Sequence, residues 1–289
     1  MKGIILAGGM GTRLYPSTLS VCKQLLPVYD KPMIYYPLSV LMLANIRDIL
    51  IISRKEDLSK YKKLFGNGNS LGLKISYIIQ KKPRGLVDAF LIGNKFIGKE
   101  NVCLVLGDNI FYGDGLPKLL RDSINFVDIK KKSIVFSYKV SNPNSYGVIK
   151  EKNNKIISII EKPKFTNSKE AVVGLYLYPN NVVELSKKIK PSKSRELEIT
   201  DLNNLYLKEK KLELRKLGRG TAWFDTGSAE NLFEASQLIR ILEKRMGYKI
   251  GCPEEISLNK NWISKKKFLK IITKYNKSEY GKYLMEIIK

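Results

Sequence analysis

The chain has 289 residues, 44% hydrophobic and 27% charged, which is enough apolar material for a large core and excludes a disordered or collagen-like chain. Lys and Arg number 52 against 27 Asp and Glu, a formal net charge of +25 that would suit a polyanionic partner. Histidine is absent, so Ser-His-Asp and Cys-His nucleophiles, His-ligated zinc and imidazole acid–base chemistry are all excluded.

The N-terminal apolar stretch Ile4-Ile5-Leu6-Ala7 is too short for a signal peptide, and the longest apolar segment, 33–46, is too short to span a bilayer. Cys22, Cys103 and Cys252 lack Cys-x-x-Cys spacing, which fits a reducing compartment rather than a disulfide or zinc framework. The expectation is a soluble cytoplasmic protein without a membrane partner. Short β-branched runs predict strands over 3–6, 49–52, 73–79, 102–106 and 133–140, and 3.6-type spacing predicts helices over 36–44, 56–65, 87–96 and 116–126. This alternation predicts an α/β fold with βαβ crossovers on a mixed, mostly parallel, Rossmann-like sheet flanked by helices. Beyond Val140 the pattern predicts a hairpin (147–151 and 155–160, turning at Lys152-Asn153-Asn154) and a strand over 172–178. Helices are expected over 182–188 and 199–208, strands over 212–217 and 222–224, and a long helix over 229–245. The last forty residues read as a small helical appendage.

The first strand breaks into Gly8-Gly9-Met10-Gly11-Thr12-Arg13, where backbone amides can approach a phosphate without a Cβ in the way. No Gly-Lys-Ser/Thr follows, so this is not a Walker A loop, and Leu14 spoils the third small position of a dinucleotide fingerprint. Arg13 adds a bidentate phosphate partner and Lys23 a point charge, together favouring a triphosphate over a purely structural turn.

Leu6-Ala7-Gly8-Gly9-x-Gly11-Thr12-Arg13-Leu14-x-Pro16, then Lys23-Gln24-Leu25-Leu26-Pro27 and Lys31-Pro32-Met33, resemble the signature of nucleotidyltransferases that make nucleoside-diphosphate sugars. The resemblance continues in order through Leu106-Gly107-Asp108-Asn109, Glu161-Lys162-Pro163, Gly174-Leu175-Tyr176, Glu196-Leu197-Glu198-Ile199-Thr200 and Trp223-x-Asp225-Thr226-Gly227. It implies an enzyme that joins dTTP and α-D-glucose 1-phosphate to give dTDP-glucose and pyrophosphate with Mg²⁺, the first step toward dTDP-rhamnose and related deoxysugars. The neutral Gln24, where UTP-using relatives place an acid, points to the thymidylyl branch. The resemblance further implies a core over 1–228, with a nucleotide-binding half (1–140) and a small sugar-binding β subdomain (141–228). The C-terminal helices, 229–289, would make contacts within a homotetramer.

Such a reaction needs no protein nucleophile, because the sugar phosphate's own oxygen attacks phosphorus; the protein supplies positioning and charge. Asp108 and Asp225, each leaving an apolar run, are the metal candidates, although each could instead cap the element that follows it. By resemblance, Arg13, Lys23 and Lys162 are catalytic, and Gly8, Gly9, Gly11, Thr12, Gln24, Gln80 and Gly85 join Arg13 and Lys23 around the nucleotide. Asn109, Gly147, Glu161 and Val172 join Lys162 around the sugar. The sequence departs from the common Glu-Glu-Lys-Pro at Ile160. Other readings are a uridylyl- or adenylyltransferase of the same fold, a homologue without catalysis, and a basic nucleic-acid-binding protein. The last is disfavoured because the lysines are scattered and no aromatic-basic stripe or DNA-binding motif occurs.

Overall fold

The structure is a computed structural model that describes residues 1–153 and 155–288. Asn154 of the expected hairpin turn and Lys289 at the end of the expected helical segment lie outside the described residues. The first half runs β1 (Lys2–Ala7), β2 (Pro27–Val28), β3 (Lys31–Pro32), α1 (Tyr35–Leu43), β4 (Asp48–Ser53), α2 (Lys55–Phe65), β5 (Lys74–Ile79), α3 (Asp88–Ile92), α4 (Asn94–Ile97), β6 (Val102–Leu106), β7 (Asn109–Tyr112), α5 (Leu116–Lys130) and β8 (Ser133–Lys139). There follow β9 (Gly147–Lys152), β10 (Lys155–Glu161), β11 (Glu170–Tyr178), α6 (Val182–Ser186), α7 (Ile199–Lys208), β12 (Leu212–Lys216), β13 (Ala222–Asp225) and α8 (Ala229–Met246). The chain closes with α9 (Pro253–Asn259), α10 (Lys265–Ile272) and α11 (Glu279–Glu286).

Nine strands form one mixed sheet, ordered β10-β9-β11-β6-β1-β4-β5, with β8 also on β11 and β12 beyond it. β5, β4, β1 and β6 pair in parallel, and among the described residues only β10 and β11 run against the other strands of this sheet. The strand runs are continuously apolar because both faces are covered. Alternate residues Ile5, Ile49, Ile51, Cys103 and Val105 pack with α1, α2 and α5 on one face. Ile4, Leu50, Ile52, Val102 and Leu104 pack with α3, α6 and α7 on the other.

One expectation needed correction. The helix expected over 87–96 divides at Gly93, where a Cβ would lie 2.7 Å from the Ala89 carbonyl and 3.3 Å from Ile4 Cδ1, so close approach to β1 interrupts it. A strand absent from the expected set, β7, follows Asp108 and pairs antiparallel with β13 more than a hundred residues later.

The C-terminal helices are tied to the core by buried charge. Lys31 pairs with Glu243 at 2.9 Å and with Asp30 at 2.5 Å, and Lys249 reaches both Asp30 and Glu243. Glu243 also accepts the Ile250 N–H at 2.9 Å. Among the described residues no helix is long and apolar enough to cross a membrane.

Candidate active site

The parallel strands β4, β1 and β6 end together, since Leu6 is in register with both Ile52 and Leu106. Open α/β sheets bind ligands at this carboxyl edge. Here β1 opens into the glycine loop. Gly11 has φ 66°, a left-handed conformation that favours glycine, and its carbonyl accepts from Thr18 Oγ1 at 2.7 Å. A Cβ at Gly11 would lie 3.1 Å from Lys23 Cβ, so the loop packs on the short 3₁₀ turn Lys23–Leu25. Arg13 extends from the loop toward Gly227, where a Cβ would meet its Nη2 at 2.6 Å and Asp225 Oδ1 at 3.1 Å.

Asp108 and Asp225 are brought side by side by the β7–β13 ladder, in which Asn109 stands opposite Asp225. Buried Lys23 pairs with Asp108. The Asp108 carbonyl accepts from both the N–H and Oγ1 of Thr226, at 3.1 and 2.7 Å, and the Asp225 carbonyl accepts from Asn231 Nδ2 at 2.8 Å. Burial, and next the facing charge of Asp108, push the Asp225 carboxyl up to about 6, against the opposing pull of Lys23, Arg13 and the Gly227 N–H. Asp225 therefore remains short of compensating positive charge even with both cations beside it. Among the described residues no cluster of three or more acidic, His or Cys side chains could enclose a metal ion. A hard divalent cation that takes one or two carboxylates and completes its shell with phosphate oxygens and water fits this donor set.

These groups open onto a cavity of about 280 Å³ lined by Arg13, Asp108, Asp225 and all the expected sugar-side residues, Asn109, Gly147, Glu161, Lys162 and Val172. Glu161 Oε2 accepts from Thr200 Oγ1 at 2.5 Å. Lys162 follows β10 with φ 37°; its N–H donates to the Tyr146 carbonyl at 3.0 Å, and its side chain, 61% exposed, pairs loosely with Glu161 Oε1 at 3.6 Å. Asn109 lines the cavity while making three hydrogen bonds within the protein. Its Oδ1 already accepts from Gly174 N–H at 3.0 Å and Trp223 Nε1 at 2.7 Å, and its Nδ2 donates to Asp108 Oδ1 at 3.0 Å.

The expected nucleotide residues Gly8, Gly9, Gly11, Thr12, Gln24, Gln80 and Gly85 lie outside this lining, around the glycine loop and the segment after β5. Gln24 packs on Gly107, where a Cβ would meet its Cγ at 2.9 Å, and its Oε1 accepts from the Cys22 thiol at 3.0 Å. Gln80 Oε1 lies 2.5 Å from where a Gly8 Cβ would be. Gly85, at φ 101°, packs on the Leu197 backbone with 2.5 Å between its would-be Cβ and the Leu197 carbonyl.

Sequence reasoning singled out neither the clamps Thr226 and Asn231 nor the wall made by Trp223 and Tyr146, whose rings meet edge-on at 5.1 Å. Thr226 and Trp223 stand within the motif around Asp225, but only the ladder reveals what they touch. A larger cavity of about 370 Å³ between α1 and the chain after α8 contains neither aspartate nor Arg13.

Residues 2–241 match the nucleotidyl transferase family model, and the chain belongs to that family. It is 50% identical over 290 residues to the glucose-1-phosphate thymidylyltransferase of Neisseria meningitidis serogroup A, covering 100% of both chains. It is 46% identical to that of Mycolicibacterium smegmatis, covering 100% of this chain and 99% of the relative. Among solved structures, a Bacillus anthracis protein provisionally described as a glucose-1-phosphate thymidylyltransferase superposes with a TM-score of 0.76 at 40% identity, covering 83% of this chain and 95% of that one. A UDP-glucose pyrophosphorylase complexed with UDP-glucose gives 0.71 at 29% identity, over 82% and 97%. Within the nucleotidyl transferases, the chain belongs with the glucose-1-phosphate thymidylyltransferases.

Proposed function

We propose that the protein joins dTTP and α-D-glucose 1-phosphate to give dTDP-glucose and pyrophosphate. The observation that carries this reading is that Arg13 and the Asp108–Asp225 pair, with Lys23 bound to Asp108, line one cavity together with Lys162 and Glu161. A phosphate oxygen of glucose 1-phosphate forms the new bond to the α-phosphorus of dTTP, and the bond from that phosphorus to the β-phosphate oxygen breaks, releasing pyrophosphate. Arg13 holds the departing phosphates in its planar fork, and Lys23 neutralises charge near the α-phosphoryl oxygens. Lys162, exposed and beside Glu161, receives the sugar phosphate, while Glu161, Gly147 and Val172 shape the pocket for the glucose ring. At an effective dielectric of about 20, each close charge contact is worth about 4 kcal/mol, so a few such groups supply a large part of the barrier reduction. Mg²⁺ is the cation proposed for Asp108 and Asp225; when bound it neutralises phosphoryl charge and aligns the α-phosphate. Gln24 and Gln80 face the thymine edge, and the backbone at Gly8, Gly9, Gly11, Thr12 and Gly85 leaves room for the nucleotide.

Residues 1–140 hold the nucleotide in this reading and 141–228 the sugar. Residues 229–289 meet a second copy through exposed apolar groups such as Phe233, Ile241 and Tyr248, giving a homo-oligomer, a tetramer by resemblance. The three free cysteines are buried, which suits the reducing cytoplasm. The test is pyrophosphate release over a grid of nucleoside triphosphates and sugar 1-phosphates. The highest turnover is expected with dTTP and glucose 1-phosphate. No product from that pair, or clear preference for UTP or ATP, would overturn the assignment.

A further inference from the structure

We propose that Asp88 is a positioning residue that fixes which end of the Gln80 carboxamide meets the base, so that the enzyme selects a nucleobase with an imide N–H, thymine or uracil, over cytosine. The inference rests on the reading above that Gln80 faces the base. Gln80 Nε2 donates to Asp88 Oδ2 at 3.1 Å, and both side chains are buried. The other oxygen of Asp88 accepts from Arg84 Nη2 at 2.5 Å. An ionised carboxylate can only accept, so the amide must turn its NH₂ toward Asp88 and its oxygen the opposite way. That oxygen points at the glycine loop, into the space that a Cβ at residue 8 would occupy. The segment carrying Arg84 and Asp88 is itself anchored, because the Leu197 N–H donates to the Arg84 carbonyl at 2.7 Å and the Val87 N–H donates to the Leu197 carbonyl at 3.3 Å.

The polarity decides which base fits. N3 of thymine or uracil carries a proton and can donate to Gln80 Oε1, whereas N3 of cytosine is a lone pair and would face another acceptor. Flipping the amide would relieve cytosine, but it would then set Gln80 Oε1 against the buried Asp88 carboxylate, leaving acceptors unpaired. Gln24 has no equivalent constraint. Its neighbours, the Cys22 thiol and the Tyr61 hydroxyl, can each donate or accept. Discrimination between the two kinds of pyrimidine therefore falls to Gln80 and the carboxylate behind it.

Asp88→Asn keeps the shape but offers both a donor and an acceptor, which frees the Gln80 amide to flip. The ratio of kcat/KM for dTTP over dCTP is expected to fall by about tenfold or more, with the KM for glucose 1-phosphate unmoved. An unchanged ratio in the folded variant overturns the proposal. If that variant does not fold, Arg84→Gln replaces a side chain that is 57% exposed and loosens the same carboxylate. It is expected to lower the same ratio, and an unchanged ratio is again contrary. Gln80→Ala separates the two layers of inference. Should it leave the KM for dTTP unchanged, Gln80 is not a base contact and the underlying reading fails. Should it raise that KM while Asp88→Asn leaves the ratio intact, only the role of Asp88 falls.

Discussion

Lys23 forms a largely buried ion pair with Asp108, joining the turn after the glycine loop to the end of β6. The same ammonium lowers the proton affinity of Asp225, so one cation serves two carboxylates in the proposed triphosphate site. Lys23→Ala is expected to reduce turnover by about 100-fold or more, because a preorganised charge at the reacting phosphoryl group is lost. It should also raise the pKa of Asp225 further. Steady-state rates and the pH profile of the variant measure the two effects.

Asp108→Asn and Asp225→Asn each remove one carboxylate from the proposed cation site. Turnover is expected to drop on the order of 1,000-fold in each case while the circular dichroism spectrum stays native. Chelation with EDTA should stop the wild-type reaction, and added Mg²⁺ should restore it. Rates near wild type in either variant would remove that aspartate from the site.

The raised Asp225 carboxyl is expected to make both stability and activity depend on pH. Its folded pKa, about 6, lies above the ordinary carboxylate value of 3.8, so the folded state binds the extra proton more tightly than the unfolded chain does. Ionising Asp225 consequently costs stability as pH rises through the interval from 3.8 to about 6, and the cost persists above it. Asp225→Asn should raise the melting temperature of the metal-free protein at pH 7.5 even as it removes activity. In the wild type at limiting Mg²⁺, kcat/KM should fall as pH drops through about 6, and saturating Mg²⁺ should move that midpoint lower because cation and proton compete.

Arg13 lies against Gly227, close enough that the absence of a side chain there is what lets the guanidinium sit beside Asp225. Arg13→Lys loses the bidentate fork and is expected to lower kcat/KM for the nucleotide by about 10- to 100-fold. Gly227→Ala should produce a similar loss by displacing the guanidinium while leaving its charge in place. If the alanine variant keeps full activity, the contact has no part in placing Arg13.

Much of the fold was legible because its strands and helices carry local signals. β1, β4, β6 and β8 stand where β-branched runs placed them, and α7 has the bounds that its periodicity predicted. β7 was not legible, since Asn109-Ile110-Phe111-Tyr112 looks like a loop until its partner, residues 222–225, is known. The site divides in the same way. Asp108, Asp225, Lys23 and Arg13 could be chosen from motif position, but Thr226 on the Asp108 carbonyl and Asn109 between Gly174, Trp223 and Asp108 are products of long-range pairing. The link from Gln80 to Asp88 spans only eight residues, yet it crosses a loop with no periodicity to announce it.

The buried charge cluster around Lys31 limits how this protein can be cut down. The family match ends at residue 241, two residues before Glu243 and eight before Lys249. A fragment trimmed at that boundary would retain Lys31, still flanked by Asp30, but lose the glutamate buried against it. Stripping one partner from such a pair typically costs about 3–5 kcal/mol, a large share of the stability of an average domain. Lys31 also stands two residues from Met33, whose sulfur lies 3.2 Å from the Thr226 hydroxyl that holds Asp108. The minimal excisable unit is therefore set by electrostatics and extends at least to Lys249, past the end of the family-model match.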